Sequence, residues 1–135
     1  MPKPAILCVD DEVVVLESLE IELQKAFGNT YVGEFAESAD EALEIIEELV
    51  EDKVDILVIV SDWLMPGMKG DEFFILIHKN YPQIITIMLT GQADAEAIER
   101  TISQAKLHAY LPKPWNNSEL IEAIKSGLAK LSINL

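Results

Sequence analysis

The chain reads as an α/β protein: a doubly wound, five-stranded parallel sheet with five helices on its two faces. Three observations predict it. Apolar runs of strand length alternate five times with segments of helical period, joined by short connections. The third run, residues 54–61, is almost wholly apolar and rich in β-branched residues, as a strand buried on both faces must be. Polar residues recur at the ends of the runs, and Asp62 closes the third, where open α/β sheets place their sites.

Residues 5–9 form the first strand. The helix after it carries Leu16, Leu19, Leu23, Ala26 and Phe27 on one face, and Gly28-Asn29 ends it. Residues 31–36 are the second strand. Ser38-Ala39-Asp40-Glu41 is a capping box that opens the second helix, whose face is Ala42, Ile45, Ile46, Leu49 and Val50. After the third strand, Gly67 and Gly70 predict a flexible loop. Asp71 is the expected cap of a third helix that stops near Tyr81-Pro82. Residues 84–89 are the fourth strand, with Thr90-Gly91 at its mouth. A weakly apolar fourth helix runs from about Asp94 to Ala105. Residues 108–111 form a short fifth strand, and residues 116–119 open a helix that buries Leu120, Ile121, Ile124, Leu128 and Leu131. Residues 1–135 read as one domain, with no repeat and no linker.

A chain of 135 residues buries roughly two-thirds of its unfolded surface. Half of it is apolar, which excludes disorder, yet no run approaches the ~20 residues of a membrane span. Cys8 lies inside an apolar run and reads as a buried, reduced thiol. With an N-terminus that lacks a signal-peptide layout, this predicts a cytoplasmic protein. The net charge of −14 is lopsided: residues 1–68 carry 17 acids and 3 bases, and residues 69–135 carry 7 of each. Such a chain repels phosphate backbones and anionic membranes, so no direct contact with nucleic acid or membrane is expected. The Glu-rich stretch from Glu37 to Asp55 reads as a solvated helix face, with a docking surface for a basic partner as the alternative. His78 and His108 have no metal-ligand spacing, and Trp63 and Trp115 read as packing residues.

Four strand ends supply the polar groups that carry chemistry. They are Asp10-Asp11-Glu12 after the first strand, Asp62 after the third, Thr90 after the fourth and Lys113 after the fifth. In a parallel sheet these ends share one edge, so the groups converge. Clustered carboxylates repel one another unless a cation sits among them, and an all-oxygen donor set suits Mg²⁺. A lysine beside the acids neutralises a bound anion, and a threonine hydroxyl donates to it. This is the equipment a carboxylate nucleophile needs to take a phosphoryl group.

These segments resemble the receiver domains of two-component response regulators. The likeness rests on Ile6-Leu7-Cys8-Val9-Asp10-Asp11-Glu12, on residues 61–70 (SDWLMPGMKG), on Leu89-Thr90-Gly91 and on residues 110–115 (YLPKPW). It implies a flavodoxin-like fold with strand order 2-1-3-4-5. Asp62 is then the phosphoacceptor, charged from a sensor histidine kinase or phosphotransfer protein. Asp11, Asp62 and the Leu64 backbone carbonyl bind Mg²⁺, with Asp10 acting through a water. Lys113 pairs with the phosphoryl group and precedes a cis bond to Pro114. Thr90 moves toward the phosphoryl oxygen, and Tyr110 swings inward, altering the face made by helix 4, strand 5 and helix 5. The resemblance implies a signalling domain that catalyses only its own phosphorylation and dephosphorylation and reports to a downstream effector. The charge-neutral second half includes this face and offers a surface for a homodimer.

The chain departs from the family at two places. Leu64 and Gln92 flank the path of the attacking water, and an apolar Leu64 cannot orient it, which predicts slow self-dephosphorylation. Residues 105–109 (AKLHA) lack the Gly-Ala pair common before strand 5. Three rival readings compete with this one. A haloacid-dehalogenase-type phosphatase needs a second acid where Leu64 stands. A flavin or nucleotide carrier needs a phosphate cradle where Asp10-Asp11-Glu12 would repel one. A pseudo-receiver that binds partners without phosphorylation is the remaining alternative, against which the complete acid, threonine and lysine set argues.

Overall fold

A computed structural model describes residues 2–91 and 95–133. The elements alternate as expected: β1 (Ala5–Val9), α1 (Val13–Phe27), β2 (Val32–Ala36), α2 (Ala39–Glu51), β3 (Ile56–Asp62), α3 (Gly70–Asn80), β4 (Ile85–Thr90), α4 (Ala95–Ala105), β5 (Ala109–Pro112) and α5 (Asn117–Ile133). The five strands are parallel and ordered β2-β1-β3-β4-β5, the flavodoxin-like arrangement. Gln92 and the expected start of the fourth helix at Asp94 lie outside the described residues.

Alternation of side chains along the central strands splits the core in two. Leu7, Val9 and Ile59 face a layer made with Ala42 and Ile46 of α2 and Phe73, Phe74 and Ile77 of α3. Ile6, Cys8, Val58 and Val60 face the other way, onto Leu16, Leu19 and Leu23 of α1 and Leu120 and Ile124 of α5. Both faces of β1 and β3 are therefore dry. Burial pushes the Cys8 thiol up to about 12, consistent with an inert packing residue.

Local signals set the helix ends, with three departures from expectation. Gly28 closes α1 at φ +57, its N–H donating to the Gln24 carbonyl at 2.9 Å. The Ser38 hydroxyl accepts from the Glu41 N–H at 3.1 Å, as a capping residue should. The Glu41 carboxylate, however, accepts from the Glu37 N–H at 3.4 Å, one residue earlier than the usual box. Asp71 is not the cap of α3. Lys69 holds that position without a side-chain bond, and Asp71 lies inside the helix, almost fully buried, paired with Arg100. Gly70 does not loosen the loop either. It is the first residue of α3, and any side chain there would collide with the Asp62 carbonyl oxygen.

Candidate functional site

Three strand ends and one loop build the site at the C-terminal edge of the sheet. The pairing of β1 with β3 sets Val9 beside Ser61, so the acids that follow each strand emerge side by side. Asp10 and Asp62 are 0% and 4% exposed, whereas Asp11 projects into solvent. Oxygens of Asp10, Asp11 and Asp62 lie within 4.8 Å of one another. The backbone fixes two of these carboxylates: Asp10 Oδ1 accepts from the Glu12 N–H at 2.8 Å and Asp62 Oδ1 from the Leu64 N–H at 3.4 Å. Beneath Asp62, the Ser61 hydroxyl donates to the Asp62 carbonyl at 3.0 Å.

Lys113 brings the counter-charge from the β5–α5 loop, and its bond to Pro114 is cis. Its Nζ lies 2.7 Å from Asp10 Oδ2, 3.2 Å from Asp62 Oδ2 and 3.7 Å from Glu12 Oε1. Burial pushes the Asp62 carboxyl above the usual carboxylate range, the Asp10 charge adds to this, and Lys113 pulls against both. Burial likewise raises Asp10 against the opposing pull of Lys113 and the Glu12 amide. For Lys113, burial is the largest influence and acts downward. The contacts with Asp10 and Asp62 together outweigh it and hold the ammonium above its ordinary range. The cluster thus carries more negative charge than one lysine neutralises.

Those donors fit Mg²⁺. All are hard carboxylate oxygens, and Asp10 Oδ2, though charge-paired with Lys113, accepts no well-aligned hydrogen bond. Asp11, Asp62 and Leu64 also line an open pocket of about 390 Å³ with Glu12, Met65, Pro66, Gly91 and Lys113. Thr90 stands at the end of β4, but its hydroxyl donates to the Leu111 carbonyl at 3.3 Å rather than to the acids. Tyr110 on β5 is 51% exposed and points away from the core. Trp63 is buried beside the acceptor with the Lys69 ammonium 5.3 Å from its ring centre. The indole of Trp115 donates to Asn117 Oδ1 at 2.9 Å. His108 bridges the Ala123 carbonyl and Lys130. Sequence reasoning missed Arg100. Its partner Asp71 reads as a cap in one dimension, and no local pattern signals an ion pair 29 residues apart.

A parallel 2-1-3-4-5 sheet with an acid triad and a lysine at its C-terminal edge defines a class, and comparison with known proteins agrees with it. Residues 6–125 match the response regulator receiver domain. The hydrogenase transcriptional regulatory protein HoxA of Cupriavidus necator is 30% identical over 123 residues, covering 91% of this chain and 24% of the regulator's own length. A CheY-like response regulator receiver domain protein of Methanospirillum hungatei superposes with a TM-score of 0.86 at 30% identity, covering 99% and 100% of the two chains. The beryllofluoride-activated NtrC4 receiver domain dimer gives 0.79 at 28% identity over 93% and 97%. The chain belongs to the response regulator receiver family, a family of signalling domains rather than classical enzymes. It spans about a quarter of the HoxA length, and no helix among the described residues is long and apolar enough to cross a membrane.

Proposed function

We propose that this receiver accepts a phosphoryl group on Asp62 from a histidine-phosphorylated sensor kinase or phosphotransfer protein, with Mg²⁺ bound at Asp10, Asp11, Asp62 and the Leu64 carbonyl. The observation that carries this reading is the convergence of three carboxylates and the Lys113 ammonium at one open pocket. Bound Mg²⁺ would offset negative charge on the acids and on the phosphoryl oxygens. A carboxylate oxygen of Asp62 bonds to phosphorus as the P–N bond of the donor breaks. The departing imidazole nitrogen keeps the electron pair and takes a proton from solvent. Lys113 passes from Asp62 to a phosphoryl oxygen while keeping its contact with Asp10. Thr90 exchanges the Leu111 carbonyl for the same group, and the exposed Tyr110 follows it inward. The α4–β5–α5 face then changes for an effector or a second copy.

Two further features support the reading. Exposed Val14 and Ile21 of α1 border a groove of about 550 Å³ with Pro114 and Trp115, alongside Lys113, where a donor protein can land. All five strands lie in one sheet, in keeping with a single domain over the described residues. The test is intact mass after incubation with acetyl phosphate, with and without Mg²⁺, beside Asp62→Asn. A phosphoryl adduct that requires both Mg²⁺ and Asp62 is expected. An adduct on another residue would overturn the assignment, and its absence even with a purified cognate kinase would favour the pseudo-receiver. Leu64 is 52% exposed at the pocket rim, with no polar atom on its side chain to orient water. Wild-type phosphoprotein should therefore decay slowly and Leu64→Asn several-fold faster. A fast wild-type decay that Leu64→Asn leaves unchanged would remove this role.

A further inference from the structure

The start of α3 rests on the acceptor itself. The Gly70 N–H donates to the Trp63 carbonyl at 2.8 Å, and the space for a side chain at Gly70 is filled by the Asp62 carbonyl. The next residue, Asp71, is 1% exposed and pairs with Arg100 in the middle of α4. Among the described residues, α4 fully buries no large apolar side chain. Its buried face consists of the small side chains Ala97, Thr101 and Ala105, which remove little apolar surface from water. Among the described residues, α4 packs closely on α3 and on no strand to a similar degree, whereas α2 and α5 close on strands.

The pair is also incompletely satisfied. Asp71 Oδ1 and Trp63 Nε1 are both buried without a hydrogen-bond partner, and both residues line one small pocket of about 270 Å³ with Lys69, Glu96 and Arg100. A polar cluster left half-satisfied in one arrangement is open to a second.

We propose that Asp71 and Arg100 form a latch between the acceptor loop and α4. It holds α4 against α3 in the arrangement described above and yields when a phosphoryl group moves the β3–α3 loop. This inference rests on the phosphoacceptor reading. It adds a path from Asp62 through Gly70, Asp71 and Arg100 to α4 that bypasses Thr90 and Tyr110. Neither Asp71 nor Arg100 touches the reacting atoms, so both are positioning residues.

The test is hydrogen–deuterium exchange on the whole chain, with and without Mg²⁺ and beryllofluoride as phosphoryl mimic. The proteins are wild type, Arg100→Gln, Arg100→Lys and the double variant Asp71→Asn/Arg100→Gln, which avoids stranding the Asp71 charge. Without mimic, Arg100→Gln and the double variant should raise exchange across residues 95–105 at least about fivefold while the central strands stay protected, with Arg100→Lys between them and wild type. By reciprocity, the half-saturating beryllofluoride concentration, read by Trp fluorescence, should fall by a similar factor. If α4 of the wild type responds to the mimic but basal exchange in the variants is unchanged, or rises equally everywhere, the latch is overturned and the phosphoacceptor reading stands. A wild type whose α4 ignores the mimic while Trp fluorescence reports its binding overturns the latch alone, and one that shows neither response overturns both.

Discussion

Lys113 faces three carboxylates at once, and the consequences of removing it separate stability from function. Lys113→Ala leaves Asp10 and Asp62 buried together with no cation, a loss of about 3 kcal/mol by analogy with breaking other buried pairs. Urea unfolding should show this loss without metal and a smaller one with millimolar Mg²⁺, because a cation among the acids substitutes for the ammonium. Equal losses in both conditions would argue that Mg²⁺ binds elsewhere. His108 offers a separate pH signature. Burial lowers its pKa, the Lys130 charge adds to this, and its bond to the Ala123 carbonyl opposes both. The unfolded chain then binds a proton that the folded chain refuses. Stability is full above the unfolded value of about 6.5 and falls as pH drops below it. His108→Gln should flatten that part of the stability–pH curve.

At the scale of elements, the α4–β5 connection carries a cost. Lys106 holds a φ of +50, in the left-handed region that favours glycine. A side chain in the left-handed region costs roughly 1–2 kcal/mol, and glycine returns part of that as chain entropy. Lys106→Gly should therefore stabilise the protein by about 0.5 kcal/mol in urea melts without altering phosphorylation. A loss of stability would mean that the Lys106 side chain makes a contact worth more than the strain. The turn at α3 shows the opposite economy. Gly67 and Gly70 look alike in the sequence, but Gly70 is required by close contact with the Asp62 backbone.

Across the whole molecule, charge is the dominant imbalance. Seventeen of the 24 acids lie within residues 1–68, the segment that runs from β1 through β3 to the loop after it, against three bases there. Such self-repulsion weakens the compact state and is screened by salt. The thermal midpoint should rise as NaCl goes from about 0.01 M to about 0.15 M, where the screening length falls from about 30 Å to about 8 Å. A flat or falling midpoint would mean that these acids are compensated locally.

Much of this was legible in one dimension because the relevant physics is local or periodic. The apolar run before Asp62 marked a strand dry on both faces. The spacing of Ala42, Ile45, Ile46 and Leu49 marked the buried side of a helix, and Ser38 marked its start. The acids, threonine and lysine at four strand ends were predicted to meet because parallel strands present like ends to one edge, and Asp10, Asp62 and Lys113 do meet there. Thr90 shares that edge but is turned to Leu111. The sequence by itself thus determined the class of fold and that Asp10, Asp62 and Lys113 share one edge of the sheet. Only the tertiary structure decided that Asp71 is a buried partner of Arg100 and not a cap, that Gly70 is pressed against the acceptor, and that Lys113 is shared among three acids. Each depends on the distance between segments far apart in the chain, which no local period or propensity records.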